Sequence, residues 1–128
     1  MKITIRPLDE ADLPIADQVF RQSFGTFLGI PDPQAFTGDA ALVATRWRAN
    51  PAAALGAYNE GALIGSCFAT PWGSFGFLGP ISVRPDFWDR GIAKQLIEQT
   101  VAQFDQWSIR QVPSISRFIK SSAFGRNI

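Results

Sequence analysis

The sequence predicts an α/β domain, and three features carry that reading. Strand-like and helix-like stretches alternate through the first 105 residues. A turn signal, Asn59-Glu60-Gly61, joins two strand-like runs. A buried apolar run, Phe75–Val83, passes through a glycine-containing loop into an amphipathic helix. With 128 residues the chain is long enough for one domain and short for two.

The elements follow in order. Residues 2–6 alternate polar and apolar, which predicts a strand. Asp9-Glu10-Ala11-Asp12 supplies carboxylates suited to a helix N-terminus, and Pro14 is tolerated in the first turn. The stripe Leu13, Ala16, Val19, Phe20, Phe24 carries that helix to about Phe24. Gly25 to Asp39 holds three glycines and two prolines and reads mostly as loop. Ala40 to Arg48 predicts a short second helix, ended before Pro51. The runs Ala53–Tyr58 and Ala62–Thr70 predict a hairpin, with residues tolerant of positive φ, Asn59 and Gly61, at either end of its turn. After Phe75–Val83, the apolar set Ile92, Ala93, Leu96, Ile97, Val101, Phe104 predicts the last helix, with Lys94, Gln95, Glu98, Gln99 and Gln103 on its outer face. The order is β-α-α-β-β-β-α, and no internal repeat is present.

Composition narrows the chemistry. Hydrophobic residues make up 46% and charged residues 18%, which fits a globular core. A formal charge of +1 gives no basic field for nucleic acid or a membrane surface. The single cysteine, Cys67, excludes an internal disulfide framework and suits a reducing compartment. No histidine is present, which excludes Ser-His-Asp and Cys-His catalysis, His-based zinc sites and imidazole proton shuttles. The first residues lack the apolar core of a signal peptide, and no run reaches the ~18–20 apolar residues of a membrane helix. A cytoplasmic protein is expected.

Charge is unevenly distributed. All 11 acidic residues lie between Asp9 and Asp105, so residues 1–105 hold 8 basic against 11 acidic groups, a net of −3. Beyond them Arg110, Arg117, Lys120 and Arg126 accompany five serines and no carboxylate. This shift divides the chain into a domain over 1–107 and a basic, Ser-rich tail over 108–128.

The informative segment runs from Leu78 to Leu96. A helix N-terminus presents unpaired N–H groups and a partial positive charge, so a phosphate can dock there. Gly91 lets the backbone approach an anion, Ala93 keeps the next position small, and Arg90 and Lys94 add positive charge on the same turn. Residue chemistry alone therefore points to a phosphate or pyrophosphate site. The bland alternative is a glycine-started surface helix with solvated charges.

Trp88-Asp89-Arg90-Gly91-Ile92-Ala93 is similar to the Gln/Arg-x-x-Gly-x-Gly/Ala loop, motif A, of the GNAT acyltransferase superfamily. Ile81-Ser82-Val83-Arg84-Pro85 resembles the end of that family's fourth strand. Ile5-Arg6-Pro7-Leu8-Asp9-Glu10-Ala11-Asp12-Leu13-Pro14 resembles its first strand and helix start, and Asn59-Glu60-Gly61-Ala62-Leu63-Ile64-Gly65 its second hairpin. The resemblance covers roughly residues 2–107, in order and at matching spacing. It implies a GNAT-like acyl-CoA N-acyltransferase fold, a mostly antiparallel sheet flanked by helices. It also implies acetyl-CoA as co-substrate. The backbone at Ile81, Ser82 and Val83 would pair with the pantetheine arm and thioester, and the amides of Asp89, Arg90, Gly91, Ile92, Ala93 and Lys94 would hold the pyrophosphate. The implied reaction moves an acetyl group to a small-molecule or protein amine.

Two departures from the family pattern stand out. Trp88 occupies a position where the family often has Gln or Arg, which removes a side-chain donor and leaves the backbone amides. The family's later strands and its fourth helix, often bearing a Tyr general acid, are not legible after Trp107, and the tail has no Tyr. Phe75–Val83 also lacks the Asp or Glu base that some relatives carry. Tyr58 is the only tyrosine. A C-terminally truncated or frame-shifted domain is therefore expected, with no catalytic residue assigned. A non-catalytic CoA-binding or oligomerising module and an inactive gene remnant are the other readings. An open sheet edge after the fourth strand would favour a homodimer.

Several side chains have two readings. Trp88 can pack on the loop or stack on a ligand. Cys67 reads as a buried small hydrophobe, against a catalytic thiol. Phe24, Phe27, Phe36, Trp47 and Trp72 can line an acceptor pocket or form ordinary core. Asp89 is placed to assist the helix N-terminus.

Overall fold

A computed structural model describes residues 2–38, 40–72 and 75–106. Alternating side chains build β1 (Ile3–Pro7), which pairs antiparallel with β2 (Ala54–Asn59). β2 turns into β3 (Ala62–Trp72), and β3 pairs antiparallel with β4 (Phe75–Val83). Among the described residues the sheet has the order β1-β2-β3-β4, so β4 forms one margin.

The hairpin turn differs in detail from the sequence reading. Asn59 pairs with Ala62, leaving two turn residues, Glu60 at φ 51 and Gly61 at φ 88. Positive φ thus falls on Glu60 and not on Asn59. The right-handed strand twist is matched by two-residue loops with both centres at positive φ, and this register imposes one.

Helix α1 (Leu13–Leu28) is led in by a short 3-10 turn at Glu10–Asp12, where Asp12 accepts from the Asp9 N–H at 3.2 Å. It runs four residues past the predicted end and stops at Gly29, whose φ of 73 is left-handed. The Gly29 and Ile30 N–H groups then satisfy the Thr26 and Gly25 carbonyls. Gly25 does not break the helix. Its missing β-carbon makes room for the returning chain at Pro33. Helix α2 spans Leu42–Ala49. Prolines open each of three further 3-10 turns, at Pro33–Ala35, Pro51–Ala53 and Pro85–Phe87, as their fixed φ and absent N–H allow.

Helix α3 (Ile92–Gln106) covers one face of the sheet. Ile92, Ala93, Leu96 and Ile97 bury there against Leu55, Ala57, Ile64, Cys67, Ile81 and Val83. Helices α1 and α2 cover the other face, where Leu13, Ala16, Phe20 and Val43 pack on Tyr58, Leu63 and Phe68. Burial of this apolar surface on both faces is the main force holding the layers. Among the described residues no helix is long and apolar enough to cross a membrane.

Candidate functional site

The candidate site begins at the last residues of β4. Ile81, Ser82 and Val83 are buried, and each is paired in register with β3. The Arg84 N–H donates to the Ile64 carbonyl at 2.8 Å. Because backbone groups alternate sides along an antiparallel strand, Ser82 also turns its N–H and carbonyl toward β3. Ile81 and Val83 then turn theirs to the margin that has no strand partner among the described residues. Upstream, Gly79 and Pro80 bulge out where only Phe68 lies opposite, between the pairs Cys67–Ile81 and Ala69–Leu78. Proline has no N–H to donate to the ladder, and a bulge is where a strand tolerates it.

From Val83 the chain passes through the Pro85–Phe87 turn into the first turn of α3. Asp89 has φ 63 and Gly91 φ 77. The Gly91 carbonyl accepts from Gln95 N–H at 3.1 Å, so the helix starts immediately after the glycine. Ile92 and Ala93 anchor that start in the core, and Lys94 is exposed.

Positive charge gathers on this loop. The Arg84 and Arg90 guanidiniums lie 4.9 and 5.3 Å from the Phe87 ring centre, close enough for cation–π attraction. Arg84 also grips Asp86 with two bonds of 2.7 and 2.8 Å. The guanidinium hydrogen bonds hold the Asp86 carboxyl below its ordinary value and, reciprocally, push Arg84 up. Trp88, half-buried against the α3-side core, donates its indole N–H to the Val83 carbonyl at 2.7 Å. The β4 end, the loop and the α3 start are thus brought together.

Other candidates lie elsewhere. Tyr58 is on β2, two strands from β4, and donates to Asp12 at 2.6 Å. Burial first, then that carboxylate, raises its pKa well above the ordinary phenol value. Cys67 is fully buried, and burial pushes its thiol up to about 12. Phe24 and Phe36 stack 5.8 Å apart beside Phe20, Phe27 is 46% exposed, and Trp47 packs in the α1-side core with its N–H on the Leu8 carbonyl. Trp72 lies opposite Phe75, at the end where β3 leads into β4. The tail over 108–128, and with it the expected truncation or frame shift, lies outside the described residues.

Three features had no signal in the sequence. Arg21, nearly buried, donates to Asp17 and to the carbonyls of Gln34, Phe36, Gly38 and Ala40. The hydroxyls of Ser66 and Ser82, directly opposite in register and buried, have no partner among the described residues. A cleft of about 770 Å³ opens between α1 and the loop after β4, lined in part by Gln18, Gln22, Gln34 and Arg84. Each depends on segments far apart in the chain.

A strand margin offers backbone groups to an extended partner, and a helix start after a left-handed glycine offers unpaired N–H groups to an anion. The chain belongs to the acetyltransferase (GNAT) family, whose model matches residues 18–117. The fold is shared with solved acetyltransferases. It superimposes on the PaiA N-acetyltransferase of Thermoplasma acidophilum, solved in complex with coenzyme A, with a TM-score of 0.70. That alignment is 22% identical and covers 88% of this chain and 77% of the other. A GNAT family acetyltransferase of Brucella melitensis, in complex with acetyl-CoA, gives a TM-score of 0.70 at 23% identity, covering 91% of this chain and 81% of that one. Among curated proteins none matches this sequence.

Proposed function

We propose that this protein is an N-acetyltransferase that binds acetyl-CoA along the β4 margin and acetylates a small-molecule or protein amine. One observation carries the reading. The outward backbone groups of Ile81 and Val83 are followed, after the Pro85–Phe87 turn and the left-handed Gly91, by the amides of the α3 start. The first set suits the amides and thioester of a pantetheine arm, and the second suits a pyrophosphate. Coenzyme A or acetyl-CoA bound to the two solved relatives supports the same choice of ligand.

In the proposed reaction the amine nitrogen attacks the thioester carbonyl, the carbon–sulfur bond breaks, and the amide and free CoA thiol leave with one proton moved from nitrogen to sulfur. The Ile81 N–H, fixed at the margin, stabilises the charge that develops on the carbonyl oxygen. Arg90 and Lys94 offset the negative charge of the pyrophosphate. Ser82 takes part as spacing, since its backbone faces β3.

A second reading, a CoA-binding module without turnover, is favoured by the Tyr58–Asp12 bond, which holds the only tyrosine away from β4. The β4 margin, open among the described residues, also suits strand pairing with a second copy, and a homodimer formed that way would compete with the arm for the same backbone groups. Calorimetric titration of acetyl-CoA, with Gly91→Glu as control, tests the common part. Saturable binding that Gly91→Glu abolishes supports it, and no heat from folded protein refutes it. Release of CoA thiol over a panel of amines then separates enzyme from module.

A further inference from the structure

The hydrogen bond between Trp88 and Val83 lies on the path assigned above to acetyl-CoA, and the inference drawn from it rests on that assignment. We propose that Trp88 is a positioning residue that latches the β4 margin, its indole holding the Val83 carbonyl until the acyl-CoA arm displaces it.

Strand geometry sets the demand on this oxygen. An arm that pairs with the margin as an added strand uses outward N–H groups as donors and outward carbonyls as acceptors, at Ile81 and again at Val83. The Val83 carbonyl is the acceptor closest in sequence to the anion loop. It is already bonded to the indole N–H at 2.7 Å, a short distance for a nitrogen donor. The ring itself packs against the α3-side core. Arm and indole thus address one acceptor, and in the proposed latch the indole yields it to the arm.

The two groups that hold Trp88 in place differ in how easily they yield. Its apolar body is half-buried among core side chains, whereas the residue that follows, Asp89, is exposed at a left-handed φ. In the proposed release the indole N–H swings off Val83 while the ring keeps much of its packing. In the unliganded state the same bond covers a margin carbonyl that a foreign strand would otherwise use.

The test uses the full chain and acetyl-CoA itself. Trp88→Phe keeps an aromatic body and deletes the competing donor. It should bind acetyl-CoA about fivefold more tightly in the calorimeter, the worth of roughly one net hydrogen bond. In the parent protein, the Trp88 indole proton, assigned by its loss in Trp88→Phe, should exchange with solvent faster once acetyl-CoA saturates the protein. A purely structural Trp88 predicts weaker binding by the variant and an indole proton equally protected with and without ligand, and either result overturns the proposal. If the parent gives no heat with acetyl-CoA, the assignment of the ligand itself falls. If the parent binds and the variant binds no more tightly, the latch alone falls.

Discussion

Gly25 lies so close to Pro33 that a β-carbon on it would come within 2.5 Å of the proline Cα. Two effects oppose each other in Gly25→Ala. Alanine is favoured over glycine in a helix interior by about 1 kcal/mol. Forcing a methyl group into an occupied space costs about 1–3 kcal/mol. Here the neighbour is the main chain of a proline-led turn, which cannot rotate aside as a flexible side chain can. Overpacking should win, and the urea midpoint of Gly25→Ala should fall with an unchanged slope. A midpoint at or above the parent's would show that the Pro33 turn moves freely.

The same return of the chain depends on Arg21. Its side chain joins Asp17 at 2.8 Å and gathers the carbonyls of Gln34, Phe36, Gly38 and Ala40, so one guanidinium organises the connection between α1 and α2. Arg21→Ala removes every one of these donors and should cost about 2–4 kcal/mol, because partly buried carbonyls lose charged partners. Arg21→Lys keeps the charge but not the planar fork, and should recover less than half of that loss. Full recovery by lysine would mean that charge, and not the geometry of the fork, holds the loop.

How much of this was legible in the sequence depends on how local each feature is. The order of strands and helices, the hairpin, and the run from β4 through Gly91 into α3 follow from periodicity and turn residues within short windows. The end of α1 did not, because Gly25 reads locally as a breaker while its role is set by Pro33, eight residues on and packed against it in space. Glu60 took the positive φ expected of Asn59 because the register, fixed by pairing with β3, decided which residues form the turn. Arg21 sits one position from the apolar stripe and gave no sign that four carbonyls would converge on it. For the site, the glycine and the charged residues of the loop could be read directly. The Trp88–Val83 bond could not, since it requires the loop to fold back on the strand end.

Cys67 should make stability depend on alkaline pH. Burial raises its thiol to about 12, and a hydrogen bond with Thr100 opposes that rise without cancelling it. The folded value therefore exceeds the unfolded value of about 9. Below that lower value both states keep the proton and the contribution is fully present. As pH rises toward the folded value, the unfolded chain gains by ionising while the folded one does not, so stability falls. Urea midpoints measured from pH 8 to 10.5 should decline, and Cys67→Ala should decline less steeply. At pH 8 a thiol-reactive dye should label the protein only by way of its unfolded state. Rapid labelling of folded protein would place the thiol at the surface.

Asp89 tests the charge of the anion loop, given the proposed pyrophosphate contact. Its φ of 63 is unfavourable for most side chains, although Asp and Asn tolerate it better than others. Asp89→Gly relieves that strain but frees the unfolded chain by about 0.4–1 kcal/mol, so the two effects nearly cancel and the melting temperature should hardly move. Its carboxylate, however, stands one residue before Arg90 and two before Gly91, on the loop that would face the pyrophosphate. Removing a like charge should tighten acetyl-CoA several-fold at low ionic strength and less at high salt, as screening shortens the reach of the field. Asp89→Asn, neutral and equally tolerant of the left-handed conformation, should give the same gain. That match would assign the effect to charge. A gain in Asp89→Gly alone would assign it to the backbone, and no gain in either would place the pyrophosphate away from this turn.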